Sequence, residues 1–395
     1  MINKIAIIGD IHFGAKSGER DISERLSVEL QQFLNYVKEN DINIVQLNGD
    51  FFDRQLTFAE PAGLLALQFW TDLLDICRTK NIKIRCIEGT LTHDQMQVDV
   101  LSEFINYDEN GNPDVDFKVF KTIGTEDLNG MHILYVPEEY PANTDEYYGE
   151  YKKGKYDVIF LHGMWDFTGL ANVAVDSANT ANKAPFFIYN EWKDALTNGV
   201  CISGHYHGRS INKDMKVVYP GSFSAWKFDY DTERGWCYLE FDTDKHTYKY
   251  TLVNNTQAPK YKAVTIDLLP VANVKNAPIE EIKLAIDDVK KDCDYLRVDL
   301  AGLEFTTIDV LKKTYKGNKE IKIVDKANTH LTESMQLVKD EEVKNDEFAF
   351  VMDSATPIAT TISEFITKKY GKTVSPEMVQ NVITEGIDIT KVLEA

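Results

Sequence analysis

Short apolar runs alternate with amphipathic segments over the first part of the chain. The runs are rich in β-branched residues and predict buried strands at residues 5–8, 42–45, 82–87, 158–161 and 200–202. Apolar residues also repeat at helical spacing between Ile22 and Val37 and between Leu64 and Leu74. This alternation predicts an α/β unit in which helices cover a largely parallel sheet.

Strand patterns dominate after residue 131, at residues 132–136, 217–219 and 235–241. The change from alternating helices and strands to mostly strands predicts two sheets packed together and flanked by helices. Residues 140–155, with several tyrosines among acidic residues, are predicted to form a surface loop. Residues 165–183, rich in Ala and Asn, are predicted to overhang the ends of the strands.

A polar stretch at residues 254–259 marks a predicted domain boundary. Beyond it, a strand at 262–268, a helix at 279–291 and a strand at 295–300 predict a small α+β domain. A charged stretch at 332–347 then precedes two amphipathic helical patterns around residues 358–370 and 375–386. We therefore predict three parts, at residues 1–255, 260–330 and 348–395.

Aspartate and histidine residues follow the predicted strands, and five of the eight histidines belong to this set. The carboxyl ends of strands meet along one edge of an α/β sheet, so residues remote in sequence converge there. Carboxylates with neutral imidazoles suit Mn²⁺, Fe²⁺ or Zn²⁺, and a bridging carboxylate can hold two ions about 3.5–4 Å apart. An isolated Asp would be interpreted as a helix cap, but the combination favours a metal site. Its members are Asp10, His12, Asp50, His93, Asp94, His162, His205 and His207.

These motifs resemble the calcineurin-like metallophosphoesterase superfamily in both type and order. Within it, three segments are similar to the SbcD-type nuclease subunit of DNA double-strand-break repair complexes, including bacteriophage relatives. They are Asn48-Gly-Asp-Phe-Phe-Asp-Arg54, Gly204-His-Tyr-His-Gly208 and Tyr219-Pro-Gly-Ser222. The resemblance covers residues 1–225 well and the remainder only in layout.

The resemblance implies a four-layer α/β/β/α fold with a small α+β capping domain and a C-terminal helical tail. It also implies two divalent ions, for which Mn²⁺ is the favoured identity. Asp10, His12 and His207 would hold one ion, Asp50 would bridge, and the second ion would be held by His162 and His205. His93 would donate a proton to the leaving oxygen, and Asp94 would orient it.

One segment departs from the family pattern. The family places an Asn directly before the catalytic His, where its neutral oxygen binds the second ion, but this chain has Gly89-Thr-Leu-Thr-His-Asp94. Thr90, Thr92 or a water could replace that ligand, and the sequence does not choose among them. Because a hydroxyl is a weaker ligand than an amide carbonyl, we predict that the second ion binds less tightly than the first.

Composition restricts the other possibilities. The 395 residues suggest two or three domains, and 43% hydrophobic with 27% charged residues is ordinary for a globular protein. No apolar run approaches the roughly 18 residues needed to span a bilayer and no signal-peptide pattern is present, so a cytoplasmic location without membrane attachment is expected. Five scattered cysteines without a Cys-x-x-Cys pair predict reduced, structural thiols.

The net charge of −20 is unfavourable for DNA binding, which normally depends on Lys and Arg. Two bound ions would reverse the local potential at the site, and lysines cluster at 152–155 and 312–322 as candidate phosphate contacts. The expected function is a Mn²⁺-dependent DNA exonuclease and endonuclease. The alternatives are hydrolysis of small phosphoesters, because the superfamily shares this metal core, and a non-catalytic scaffold of the same fold.

The expected partners follow from the resemblance. An SbcC-type, SMC-like ATPase would bind the C-terminal helices at residues 348–395, and the nuclease subunit would form a homodimer. The Gly-Lys-Thr at residues 371–373 lacks the preceding P-loop glycine and strand. Any dependence on ATP would therefore come from the partner.

Overall fold

The computed structural model describes residues 1–17, 20–167, 186–229, 232–267, 279–301, 305–326 and 375. The chain divides into two compact units. The first comprises Met1–Val264, Pro278–Val298 and Tyr315–Lys322, and the second comprises Thr265–Ala277, Asp299–Thr314 and Ile323–Ala395. The predicted helical tail lies outside the described residues except for Ser375, and most of the predicted overhang at 165–183 also lies outside them. The predicted boundaries of the three parts stay predictions.

The first sheet has six strands in the order β16-β15-β1-β4-β5-β6. Strands β1, β4, β5 and β6 are parallel, whereas β15 pairs antiparallel with β1 and with β16. The bounds are β1 Ile2–Ile8, β4 Ile44–Asn48, β5 Lys83–Ile87, β6 Phe117–Phe120, β15 Gly235–Asp242 and β16 Thr247–Asn254. The parallel strands place their carboxyl ends at one edge.

The second sheet also has six strands, in the order β13-β14-β12-β9-β8-β7. Its central strands β8, β9, β12 and β14 are parallel, and β7 and β13 pair antiparallel at the two edges. The bounds are β7 Gly124–Leu128, β8 Met131–Val136, β9 Val158–His162, β12 Val200–Gly204, β13 Ser210–Asn212 and β14 Val217–Tyr219.

Helices lie among these strands in the sequence order expected for an α/β unit. They are α1 Ser23–Glu39, α2 Pro61–Lys80, α3 Thr144–Lys153 and α4 Tyr189–Trp192, with a 3₁₀ helix at Gln97–Phe104. Pro61 occupies the first turn of α2, where its missing N–H has no intrahelical partner to lose. Two short strand pairs complete this part, β2 Lys16–Ser17 with β3 Arg20–Asp21 and β10 Met164–Trp165 with β11 Phe186–Phe187.

Three apolar cores separate four layers. Because side chains alternate along a strand, Ala6 and Ile8 of β1 pack with α1 and α2, whereas Ile5 and Ile7 face the second sheet. The second sheet buries its opposite face against α3 and α4, through Tyr148 and Trp192 among others. This confirms the predicted four-layer α/β/β/α fold. The central strands β4, β9 and β12 are buried on both faces, which explains the continuous apolar runs in the sequence.

The predicted surface loop at 140–155 is wrong, because α3 occupies most of it. The Asn143 side chain accepts a hydrogen bond from the Glu146 amide at 3.2 Å and caps the helix, acidic residues occupy the first turn and lysines occupy the last. Only Tyr148 is buried on this helix. With a single buried residue the helix has no apolar stripe, so periodicity did not reveal it. The Asn143 cap and the charges at the two ends are the sequence features that indicate a helix here.

The later residues form β17 Tyr261–Asp267, α5 Ile279–Lys290, β18 Tyr295–Ala301, α6 Phe305–Thr314 and β19 Ile321–Asp325, and the three strands pair in the order β17-β18-β19. The first three elements match the predicted strand, helix and strand. The lysine segment at 312–322 includes residues of two elements, because Lys312 and Lys313 lie in the last turn of α6 and Lys322 lies on β19. None of the described helices is both long and apolar enough to cross a membrane.

Candidate metal centre

The predicted site residues lie at the ends of strands from both sheets. Asp10 and Asp50 stand two residues after β1 and β4, His162 is the last residue of β9, and His205 follows β12 directly. The backbone at Asp10, Asp50 and His205 has positive φ angles of 49°, 51° and 80°. Non-glycine residues rarely adopt this conformation, and such strain concentrates at functional sites.

Four of these residues form a first group: Asp10, His12, Asp50 and His207. All four are buried, and one ligand atom from each lies within 4.8 Å of every other. The Nε2 atoms of His12 and His207 face one another at 3.0 Å. A ring that carries its proton on Nε2 would donate to the other ring at this distance, and a shared cation would bind both rings when neither Nε2 carries a proton. The donor set therefore fits a divalent ion.

Three residues form a second group: Asp50, His162 and His205. The Nδ1 of His162 lies 2.9 Å from the backbone oxygen of Asn48, so Nδ1 is a donor and Nε2 is the nitrogen that remains for an ion. That Nε2 is buried and has no hydrogen-bond partner among the described residues. A buried polar atom without a partner is costly in free energy, and a bound cation would satisfy it.

Asp50 belongs to both groups. Its Oδ2 lies 3.6 Å from His12 Nε2 of the first group and 3.4 Å from His162 Nε2 of the second. A carboxylate between two sets of imidazoles is the arrangement needed to bridge two ions. The structure thus brings the six predicted ligands together in the two sets that the resemblance implied, and their role as ligands stays a prediction.

Carboxylates outside the first group hold its imidazoles. Asp53 Oδ1 lies 3.2 Å from His12 Nδ1, and Asp229 Oδ2 lies 3.1 Å from His207 Nδ1. The guanidinium of Arg234 in turn donates to Asp229 Oδ1 at 2.8 Å. A hydrogen bond such as that between His207 and Asp229 fixes the tautomer and the orientation of a metal-binding histidine, whereas His12 Nδ1 has no hydrogen-bond partner among the described residues.

Burial and charge shift the protonation of these groups in opposite directions. Burial would raise the pKa of Asp50, but attraction to His162 and hydrogen bonds to His162 and His93 outweigh burial and hold that pKa well below its usual range. Burial lowers the pKa of His207 to about 4, although Asp229 partly opposes the shift. Burial also acts to lower the pKa of His162, but Asp50 and other carboxylates raise it well above its ordinary value. Before an ion binds, the lowered pKa of His207 thus favours the neutral ring and the raised pKa of His162 favours the protonated ring.

His93 lies beside the first group, and its geometry differs from the expectation. Its Nδ1 lies 3.0 Å from Asp50 Oδ2, and no hydrogen bond between His93 and Asp94 occurs among the described contacts. Burial lowers the pKa of His93, but the hydrogen bond to Asp50 and its negative charge give a net increase. The partner that orients His93 in this structure is thus Asp50, and the roles of His93 and Asp94 in catalysis stay predictions.

Asp94 instead binds the backbone that carries Asp50. It accepts hydrogen bonds from the amides of Asp50, Phe52 and Gly89 at 3.0, 2.9 and 2.9 Å. Burial raises the pKa of Asp94 to about 8, and repulsion from Asp50 and Glu88 adds to the increase. Asp94 therefore organises the loop at the end of β4 rather than the His93 ring.

The Gly89 segment, where the family Asn is missing, contacts the second group through Thr90. The Thr90 hydroxyl lies 3.1 Å from Asp50 Oδ2 and 3.3 Å from His205 Nδ1, whereas Thr92 is exposed. A Cβ on Gly89 would collide with the Asp50 amide, so the close approach of these two loops requires glycine. Of the three replacements that the sequence left open, Thr90 is the residue in position.

Three residues at the site were not identified from the sequence: Asp53, Glu138 and Asp229. Glu138 stands two residues after β8, a position equivalent to those of Asp10 and Asp50, and the same strand-end argument would have found it. Asp53 belongs to the quoted Asn48–Arg54 segment. Asp229 follows no strand and carries no sequence signal, since only the folded chain brings it to His207.

The fold and this site define a metal-dependent phosphoesterase. The chain belongs to the calcineurin-like phosphoesterase family, whose model matches residues 3–209. No curated protein matches the chain. Among solved structures, 53 chains match. One of them, a crystal structure, is 13% identical with a TM-score of 0.31 and covers 64% of this chain and 99% of its own. At that TM-score the likeness supports no conclusion.

Proposed function

We propose that this protein is a Mn²⁺-dependent DNA nuclease, with exonuclease and endonuclease activity, that acts as the nuclease subunit of an SbcC/SbcD-type repair and recombination complex. The observation that carries the proposal is Asp50, a buried carboxylate shared between two sets of histidines at the strand ends. Two ions held by such a carboxylate can activate a water for hydrolysis of a phosphodiester. The choice of DNA as substrate rests on the resemblance of the Asn48–Arg54, Gly204–Gly208 and Tyr219–Ser222 segments to SbcD-type subunits.

Two divalent ions, when bound, lower the pKa of a water to near neutrality and neutralise charge on the phosphate. The protein residues would position the ions and exclude water from part of the site. Asp10, His12 and His207 would hold one ion, and Asp50, His162 and His205 would hold the other. The rings of His12 and His207 pack against Trp226 at centroid distances of 4.7 and 5.2 Å, which shields this side of the site from water.

His93 is the proposed general acid. Its Nδ1 is bound to Asp50, so Nε2 is the nitrogen available to protonate the departing sugar oxygen. The net increase in its pKa favours the protonated ring that a general acid requires. About a third of the side chain is exposed, at 32%, so a substrate can reach it.

The distribution of charge supports a narrow DNA contact rather than a broad one. Lys152 is paired with Asp145 and Glu191, and Lys313 is paired with Asp309, so the lysine clusters found in the sequence are partly neutralised. Lys227 is exposed and lies 5.6 Å from the Trp226 ring, next to the first group of ligands. We assign Lys227 to a DNA phosphate adjacent to the scissile bond.

End-labelled linear duplex and single-stranded DNA test the activity directly. Purified protein is incubated with each substrate in Mn²⁺, Mg²⁺ or EDTA, alongside His93→Ala and a small chromogenic phosphodiester. Cleavage of DNA that needs Mn²⁺ and is lost in His93→Ala is the expected result. His132→Ala is a suitable control, because His132 is 43% exposed and pairs with Asp127 away from the site.

The same experiment separates the alternatives. The net charge of −20 favours a small, compact phosphoester over a long duplex, and turnover of the chromogenic ester without DNA cleavage would establish that function. If no substrate is cleaved while metals are bound, the result would favour the non-catalytic scaffold, unless adding an SbcC-type ATPase restores cleavage.

The ATPase partner and the homodimer are part of the proposal. The segment assigned to the ATPase lies outside the described residues, so the test is truncation near Asp340. Mn²⁺-dependent cleavage is expected to persist in the truncated chain while co-purification with the ATPase is lost. Retained co-purification would remove the C-terminal helices from the proposal.

A further inference from the structure

Glu138 places a buried carboxylate beside the second group of ligands. Its side chain is 0% exposed, and its Oε2 lies 3.1 Å from His205 Nδ1 and 3.8 Å from His162 Nε2. The hydroxyl of Thr90 lies 3.0 Å from the same oxygen. Glu138 also accepts a hydrogen bond from the hydroxyl of Tyr140 through its other oxygen, Oε1. The carboxylate is therefore fixed with one oxygen directed at the group.

The separation of Glu138 from His205 is that of ligands that share one ion, and its separation from His162 is slightly longer. Oxygen and nitrogen ligands lie about 2.0–2.2 Å from ions of this kind, so neighbouring ligands of one ion lie about 3.0–3.6 Å apart. Glu138 Oε2 is near this range from both imidazoles. Asp50 Oδ2 lies 3.4 Å from His162 Nε2, which extends the same spacing to the bridging carboxylate.

Glu138 could instead only orient His205, as Asp229 orients His207. The contact with His162 argues against this role. The Nδ1 of His162 is committed to the Asn48 carbonyl, so Nε2 is its only free ligand atom. A carboxylate that merely oriented His205 from outside would not also lie beside the ligand atom of a second histidine.

We propose that Glu138 is a direct ligand of the ion held by His162 and His205. It supplies an anionic oxygen in the region where the family uses the neutral oxygen of Asn, and Thr90 lies between it and Asp50. An added negative ligand strengthens binding of a divalent cation. This reverses the sequence-based expectation, so the second site binds its ion no more weakly than the first.

The proposal rests on the two-ion site of the proposed function but not on DNA as the substrate. It is tested by titrating the metal-free full-length chain with Mn²⁺ and measuring free Mn²⁺ by electron paramagnetic resonance. The wild-type protein is expected to bind two ions of similar affinity. Glu138→Gln, which removes the charge and keeps the shape, is expected to weaken one site at least about tenfold and leave the other unchanged.

Glu139→Gln is the matched control, since it makes the same change one residue away. Glu139 binds the Ile123 amide and the Tyr147 hydroxyl rather than any ligand, so both sites should keep the wild-type affinity. Two unchanged sites in Glu138→Gln would overturn the proposal. Thermal melting of the metal-free variants shows whether either change disturbs folding.

Anomalous scattering from a Mn²⁺-soaked crystal of the wild-type protein decides between a ligand and an orienting residue without any variant. A Mn²⁺ within about 2.4 Å of Glu138 Oε2 is the expected result. An ion more than about 3.5 Å from this oxygen, with His205 between them, would overturn direct ligation even if Glu138→Gln weakens the site. Either result is independent of DNA cleavage, so failure of the nuclease proposal is recognised separately.

Discussion

The two groups of ligands share Asp50 but hold their imidazoles differently. In the first group, His12 and His207 each contact a carboxylate through Nδ1, from Asp53 and Asp229, while their Nε2 atoms face one another. In the second group, His162 is held by a backbone carbonyl instead. The carboxylate nearest His205 is Glu138, which also lies beside the His162 ligand atom.

The two groups thus use the same kinds of ligand, but the pKa values of their histidines are shifted in opposite directions. In the first group, burial lowers the pKa of His207 to about 4 although Asp229 opposes the shift, so the ring is neutral and ready to bind an ion. In the second group, Asp50 and the other nearby carboxylates outweigh burial and raise the pKa of His162 well above its ordinary value, which favours its protonated form. The two positions should therefore differ in their response to pH and to loss of neighbouring carboxylates.

Removing the shared residue, Asp50, should impair both groups at once. Asp50→Asn takes one negative charge from both groups, so we expect both sites to lose Mn²⁺ and phosphodiesterase activity to fall more than about a thousandfold. Equilibrium Mn²⁺ binding and single-turnover cleavage measure the two effects. Retention of one tight ion would show that Asp50 serves only one group.

Substitution of His93 tests whether phosphodiesterase activity can be lost while both groups still bind their ions. His93→Gln removes the acid but no proposed ligand, so kcat is expected to fall about 10²- to 10⁴-fold with two Mn²⁺ still bound. A substrate with a better leaving group needs less protonation and should recover much of the loss. Equal losses for good and poor leaving groups would remove His93 as the general acid.

Asp229 tests the outer contact that is specific to the first group. Asp229→Asn keeps a side chain of similar shape beside His207 but removes the charge, and we expect affinity for the first ion to fall about 10- to 100-fold. The second ion should bind as in the wild type. Weakening of the second site instead would contradict the division into two groups, and Glu138→Gln provides the opposite pattern for comparison.

The smallest of the expected effects is the release of a proton when an ion binds. Because the pKa of His162 is raised and that of His207 is lowered to about 4, we expect an ion to displace a proton from His162 near neutral pH but none from His207. Affinity of the second site should thus rise with pH until His162 is neutral in the free protein, by up to about tenfold per pH unit. Calorimetry in buffers of different ionisation enthalpy measures the proton count. Equal proton release at both sites would contradict the assignment.

Much of the fold could be predicted because local chemistry repeats along the chain. Buried parallel strands require continuous apolar runs, and helices against a sheet require apolar residues at helical spacing, so β1, β4, α1 and α2 were recognisable. Helix α3 was missed because it buries a single residue, Tyr148, and its formation depends on the Asn143 cap and its charges.

The sequence by itself determined the type of site, because Asp and His residues after apolar strands must meet at a strand edge. It also determined the six candidate ligands. Only the tertiary structure decided which residues support them. Asp94 binds the backbone of the Asp50 loop rather than His93, Asp229 reaches His207 from a segment without a motif, and Glu138 enters the second group from β8. The sequence predicts that residues after the strands converge at one edge. The distance and direction between two of their side chains depend on how the two sheets pack.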